Sequence, residues 1–111
     1  MNKILFFISI LLQTSQLLAQ VADWSTGVAP ILYNKCASCH HAGGAGHRDF
    51  TNYDTAVAFA GSVYYYTTQG IMPPWPPNPT YRTYAHERRL SNQEILTIQS
   101  WVNNGTLLGD T

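Results

Sequence analysis

The sequence predicts a small all-α domain of about three helices. Two observations carry that expectation. Apolar residues recur at helical spacing in three separate stretches, and two of these open on recognisable capping signals. The second and third stretches are separated by Gly70-Ile71-Met72-Pro73-Pro74-Trp75-Pro76-Pro77-Asn78-Pro79, whose prolines forbid a helix or a central strand.

The first stretch runs from about Gly27 to Ser38, with Val28, Ile31 and Leu32 at helical spacing. Leu32, Cys36 and Cys39 continue one face at i, i+4 and i+7. Ser25 or Thr26 can cap its start. Pro30 falls near the first turn, where a missing N–H costs least. Gly43-Gly44-Ala45-Gly46 stops it soon after His40.

The second stretch starts at Thr51, where Thr51-x-x-Asp54 has the form of a capping box. Ala56, Val57, Ala60, Val63 and Tyr64 share one face, and the helix is expected to reach about Tyr65. The run Val63 to Thr68 is rich in β-branched and aromatic residues, so a short strand is the less favoured alternative there. The third stretch opens on Ser91-Asn92-Gln93-Glu94, a capping box, with Leu90 and Ile95 placed as a hydrophobic staple. Ile95, Ile98, Trp101 and Val102 form its stripe, and Gly105 is placed to end it. The proline stretch is expected to be stiff and extended, of polyproline II character, with Met72 at its entrance.

Residues 36 to 40 read Cys-Ala-Ser-Cys-His, the attachment signature of a c-type haem. Side chains at i and i+3 share a helical face, so Cys36 and Cys39 can both reach the vinyl groups on one porphyrin edge and form thioethers. His40, one residue on, can bind the iron as the proximal ligand. Two other readings use the same cysteines. A thioredoxin-like dithiol would want a strand and a βαβ setting, whereas a helix is expected here. A zinc site would need two of His40, His41, His47 and His86, of which only His41 and His47 have the spacing of a His-x3-5-His pair.

Compartment points the same way. Met1-Asn2-Lys3 is a short basic start, Ile4 to Leu12 is apolar apart from Ser9, and Leu17-Leu18-Ala19-Gln20 follows a polar stretch. This is expected to be a secretory signal peptide over residues 1–19, cleaved after Ala19 to leave one domain over residues 20–111. The apolar run is too short for a bilayer, which takes about 20 residues. An exported, periplasmic setting is where haem c is attached. The formal net charge is zero and no basic run occurs, which argues against a nucleic-acid partner. With both cysteines taken by haem, no disulfide is expected.

Met72 is the only methionine after Met1. It is either a core residue or the distal iron ligand, held by the rigid proline loop. His47 and His86 are its rivals for that position, while His41 adjoins the proximal ligand and cannot easily reach the opposite face.

The order of an exported leader, Cys-x-x-Cys-His, a Met-Pro loop and an aromatic-bearing terminal helix resembles mono-haem class I cytochrome c domains. More narrowly, Pro30-Ile31-Leu32, Met72-Pro73-Pro74-Trp75, Arg89-Leu90-Ser91 and Ile98-x-x-Trp101-Val102-x-x-Gly105 look like a bacterial exported cytochrome-like domain. The resemblance spans residues 24 to 110. It implies a small cytochrome c-like fold wrapped around one covalent haem, with first and last helices crossing near Gly27 and Trp101. It also implies His40 and Met72 as axial ligands. The family often continues into a further domain, so a detached haem module of a larger redox enzyme is an alternative to a free carrier.

The expected function is one-electron transfer to and from redox partner proteins met transiently, with the protein supplying position, an apolar shell and axial tuning. Two other classes stay open at this point. One is a haem-based gas sensor with an open sixth position. The other is a peroxidase-like enzyme, which also needs a distal acid–base residue such as His47 or His86.

Overall fold

The computed structural model describes residues 21–74 and 77–110. The expected signal peptide and Trp75 lie outside them. The described residues are helical and contain no strand: a π-helical turn at Trp24–Val28, then α1 (Ala29–Lys35), α2 (Tyr53–Ala58), α3 (Ala60–Thr68) and α4 (Asn92–Asn103).

The first helix starts earlier than its apolar spacing suggests. Its cap is Asp23, whose Oδ1 accepts from the Thr26 N–H at 2.8 Å and the Thr26 hydroxyl at 2.9 Å. Ser25 and Thr26, the expected caps, instead donate to this carboxylate. The opening turn is wide, with the Val28 N–H donating to the Asp23 carbonyl and the Ala29 N–H to the Trp24 carbonyl. Pro30 follows where the chain tightens into α1, a position that needs no donor.

The second stretch is two helices. Phe59, at φ −113° and ψ 16°, breaks it between α2 and α3. Its cap lies one residue beyond the expected Thr51. Asn52 Oδ1 accepts from the Thr55 N–H at 3.1 Å, while Thr51 turns back to donate to Asp49. Val63 to Thr68 is helical. The Thr67 hydroxyl donates to the Val63 carbonyl at 2.7 Å and that of Thr68 to the Tyr64 carbonyl at 2.8 Å. Such back-bonding gives β-branched threonines a place on a helix despite their strand preference.

The sequence signals of α4 hold in full. The Ser91 N–H donates to Glu94 at 2.7 Å and the Glu94 N–H to Ser91 at 3.1 Å, completing the capping box. Leu90 is buried in the core, and Ile95 packs against it. Gly105 sits at φ 85°, and the Thr106 N–H reaches back to the Trp101 carbonyl at 2.9 Å, the Schellman closure.

The first and last helices pack together. The rings of Trp24 and Trp101 lie 6.0 Å apart, and Gly27 faces Thr97, where an added Cβ would already touch Thr97 Cγ2 at 3.4 Å. The chain after α4 returns to the start: the Trp24 N–H donates to the Leu107 carbonyl at 2.8 Å, and that carbonyl also accepts from the Trp101 indole at 3.0 Å. Val28, Leu32, Ile98 and Trp101 are fully buried at this crossing. Each such side chain contributes about 1.5–3 kcal/mol by leaving water. Leu32 faces this core, and Cys36, one turn on, packs against it. Among the described residues, no helix is long and apolar enough to cross a membrane.

Candidate functional site

Beyond α1 the backbone keeps turning. Cys36 N–H donates to the Leu32 carbonyl at 2.9 Å, Cys39 N–H to the Cys36 carbonyl at 3.1 Å, and His40 N–H to the same carbonyl at 2.9 Å. This tightened turn delivers Cys36, Cys39 and His40 to one cavity of about 350 Å³. The loop after the motif supplies Ala45, Gly46 and His47, and the proline segment supplies Met72, Pro73 and Pro74. The lining is predominantly apolar. Among the described residues, its two permanent charges, Lys35 and Arg88, are both positive, and no carboxylate lines it.

His40 is fixed from several sides. Its Nδ1 lies 3.2 Å from the Arg48 carbonyl, which accepts only if that nitrogen carries the proton. In that tautomer Nε2 keeps its lone pair free for a metal. The Phe50 ring packs 4.9 Å from the imidazole. On another side the Gly46 backbone comes so close that a Cβ there would overlap Nδ1. The Gly46 N–H is itself held by the Cys39 carbonyl at 2.7 Å. Gly46 is thus a cradle residue: any larger side chain would push the imidazole out of place.

The two thiols differ. Burial pushes the Cys36 thiol up to about 11, with the charges of Cys39 and Glu94 adding to the rise. Cys39 Sγ instead accepts from Arg88 Nη1 at 3.7 Å.

The backbone N–H groups of Met72 and Ile71 both donate to the Tyr66 carbonyl, at 3.1 and 3.0 Å. This anchors the proline segment to the end of α3. The segment bends at Met72–Pro74 and turns again at Pro79–Tyr81, where Asn78 caps Thr80, so it is not the single extended rod its prolines suggest. Met72 is 38 % exposed and belongs to no core cluster, unlike a packing methionine.

Of its rivals, His47 lines the same cavity, whereas His86 lines a neighbouring one with Tyr84 and Glu87, beyond Pro73 and Pro74. His41 points elsewhere, its Nδ1 at 2.7 Å from the Ala37 carbonyl.

Among the described residues, no three His, Cys, Asp or Glu side chains converge well enough to hold a metal ion. The zinc reading therefore lacks its ligand set. A haem makes a different demand: two thiols at one edge, one imidazole, one soft donor and an apolar slot. These are the groups that line the cavity. Three lining residues carry weight that the sequence did not single out. Gly46 was visible as part of a glycine-rich turn. Lys35 adjoins Cys36 in sequence, whereas Arg88 gave no local signal, because its place depends on the tertiary fold.

No family model matches the chain, and neither a curated protein nor a solved structure does.

Proposed function

We propose that this protein is an exported one-electron carrier with one covalent c-type haem, a domain of the mono-haem cytochrome c type. The observation that carries the reading is the meeting of Cys36, Cys39, His40 and Met72 on one apolar cavity, although Met72 comes from a distant part of the chain. A haem, when bound, supplies an iron that takes up and gives back one electron.

The chain's own residues do the rest. Cys36 and Cys39 are the covalent attachment points. His40, with its ring oriented by the Arg48 carbonyl and Gly46, presents Nε2 as the proximal ligand. Met72 offers a neutral thioether sulfur as the distal ligand, which favours the reduced state and raises the potential. Pro73 and Pro74 keep water from the slot, and the cations Lys35 and Arg88 favour added negative charge there. Exposed Tyr65, Tyr66 and Ile71 beside Met72 give a redox partner an apolar surface to meet.

Substitution of Met72 by alanine in the haem-loaded protein tests the assignment. It should lower the midpoint potential and admit carbon monoxide. An unchanged spectrum and potential would remove Met72 from the iron. A gas sensor or peroxidase has one observation in its favour, the presence of His47 on the cavity, and requires carbon monoxide binding by the unaltered protein.

A further inference from the structure

We infer that Arg88 positions the Cys39 sulfur for thioether formation, so that complete two-point attachment of the haem depends on it. This rests on the haem reading above.

Arg88 is exposed, but its backbone is held in place. The carbonyls on either side of it, those of Glu87 and Arg89, both accept from Lys35 Nζ, at 3.3 and 3.1 Å. Lys35 is the last residue of α1, one position before Cys36. One ammonium at the end of the motif helix therefore clamps the backbone on both sides of Arg88. From that fixed backbone Arg88 reaches the cavity, with Nη1 3.7 Å from Cys39 Sγ, across 49 positions of sequence. The other donor to this sulfur is the neighbouring Ser38 hydroxyl, at 4.0 Å.

The two thiols are held by different means. Cys36 follows α1 directly and is set by helical backbone bonds. Cys39 lies three residues further on, in the turn before the glycine-rich loop, its N–H bonded to the Cys36 carbonyl and its carbonyl to the Gly46 N–H. A side-chain contact there does what the helix does for Cys36.

The chemistry balances within the two reactants. The S–H bond of Cys39 breaks, a carbon–sulfur bond forms at the inner vinyl carbon, and the hydrogen ends on the outer one. The π bond is consumed and no outside oxidant or reductant is needed. A donor that fixes the sulfur raises the fraction of time it spends in reach of the vinyl group.

The test uses the whole chain, co-expressed with haem c maturation machinery, as the unaltered protein and as Arg88→Met, Arg88→Lys and Lys35→Met. Haem-bearing protein is denatured, treated with iodoacetamide and mapped by mass spectrometry. The unaltered protein should show two thioethers and no alkylated cysteine. Arg88→Met keeps the apolar stem but loses the donor, and should leave a several-fold larger fraction alkylated at Cys39 and not at Cys36. The reduced pyridine haemochrome band should move to longer wavelength, as it does with one thioether. Arg88→Lys should largely restore two-point attachment. Lys35→Met, which loosens the clamp and keeps Arg88, should show a smaller rise at Cys39; it carries the test if Arg88→Met yields no haem protein. Two complete thioethers in Arg88→Met, or in Lys35→Met where that variant carries the test, would overturn the inference, as would alkylation shared equally by both cysteines. Absence of haem from the unaltered protein is a separate result, and would overturn the functional reading instead.

Discussion

The crossing of the first and last helices and the walls of the cavity are built on opposite plans. At the crossing, Val28, Leu32, Ile98 and Trp101 lose all contact with water and interlock. At the cavity, Cys36, Cys39 and His40 are half-buried and Met72 is exposed, and their backbone N–H groups are tied to nearby carbonyls. The crossing is complete in itself. The walls leave an apolar cavity between them, which is what a site built around a large apolar cofactor would require. A small domain buries a modest core, so a covalently held apolar plate would add a second one.

That contrast can be tested by loss on each side. Trp101→Ala should have the largest effect. It removes the central side chain of the crossing and the indole bond to Leu107, at a cost of about 3–5 kcal/mol in denaturant unfolding of the haem-bearing protein. A loss below about 1 kcal/mol would mean that the crossing is not the main store of stability.

Gly46→Ala should act on the cavity. The added methyl overlaps the imidazole, so a destabilisation of about 1–3 kcal/mol is expected. The axial-ligand bands should change too, while helical circular dichroism stays the same. Unperturbed ligand bands would mean that the loop does not position His40.

Ser91→Ala removes half of a capping box at the start of α4, and Ser91 does not line the cavity. It should cost about 1 kcal/mol and leave the spectrum untouched. A spectral change would join α4's start to the site and blur the distinction.

The smallest effect is expected in acid. Asp23 is held below its ordinary value of 3.8 by bonds from Thr26, and Asp49 likewise by bonds from Thr51. Both favour the charged form in the fold. Their contribution is therefore present above about 3.8 and lost as pH falls through the lowered values. Asp23 caps the first helix of the crossing, whereas Asp49 shapes the loop that packs on His40. Asp23→Asn and Asp49→Asn should each flatten the acid limb of a stability–pH profile, and only the latter should alter the spectrum. An unchanged acid limb in both would remove the carboxylates from the account.

What the sequence made legible follows the same division. α4 was readable to the residue, because Ser91, Glu94, Leu90 and Gly105 act on neighbours in sequence. Cys-x-x-Cys-His was visible as a pattern for the same reason, and its reading as a haem attachment site belongs to the proposed function. The start of α2 was misplaced because three candidate polar residues crowd residues 49–52, and only the backbone path decides which of Asp49, Thr51 and Asn52 becomes the cap. The break at Phe59 left no glycine or proline to betray it. The pairing of Lys35 with the backbone around Arg88, and of Arg88 with Cys39, was invisible, since it joins residues more than fifty positions apart in the one case and 49 in the other. Local chemistry was legible, and long-range side-chain placement was not.

The most direct measurement is an absorption spectrum of the protein, co-expressed with haem c maturation machinery, in its oxidised and reduced forms and with carbon monoxide. The account predicts a c-type reduced spectrum that survives denaturation, the weak far-red band of methionine-ligated ferric haem, and no response to carbon monoxide. A high-spin ferric spectrum with ready carbon monoxide binding would contradict the His40–Met72 pairing, and a protein without haem would contradict the account as a whole.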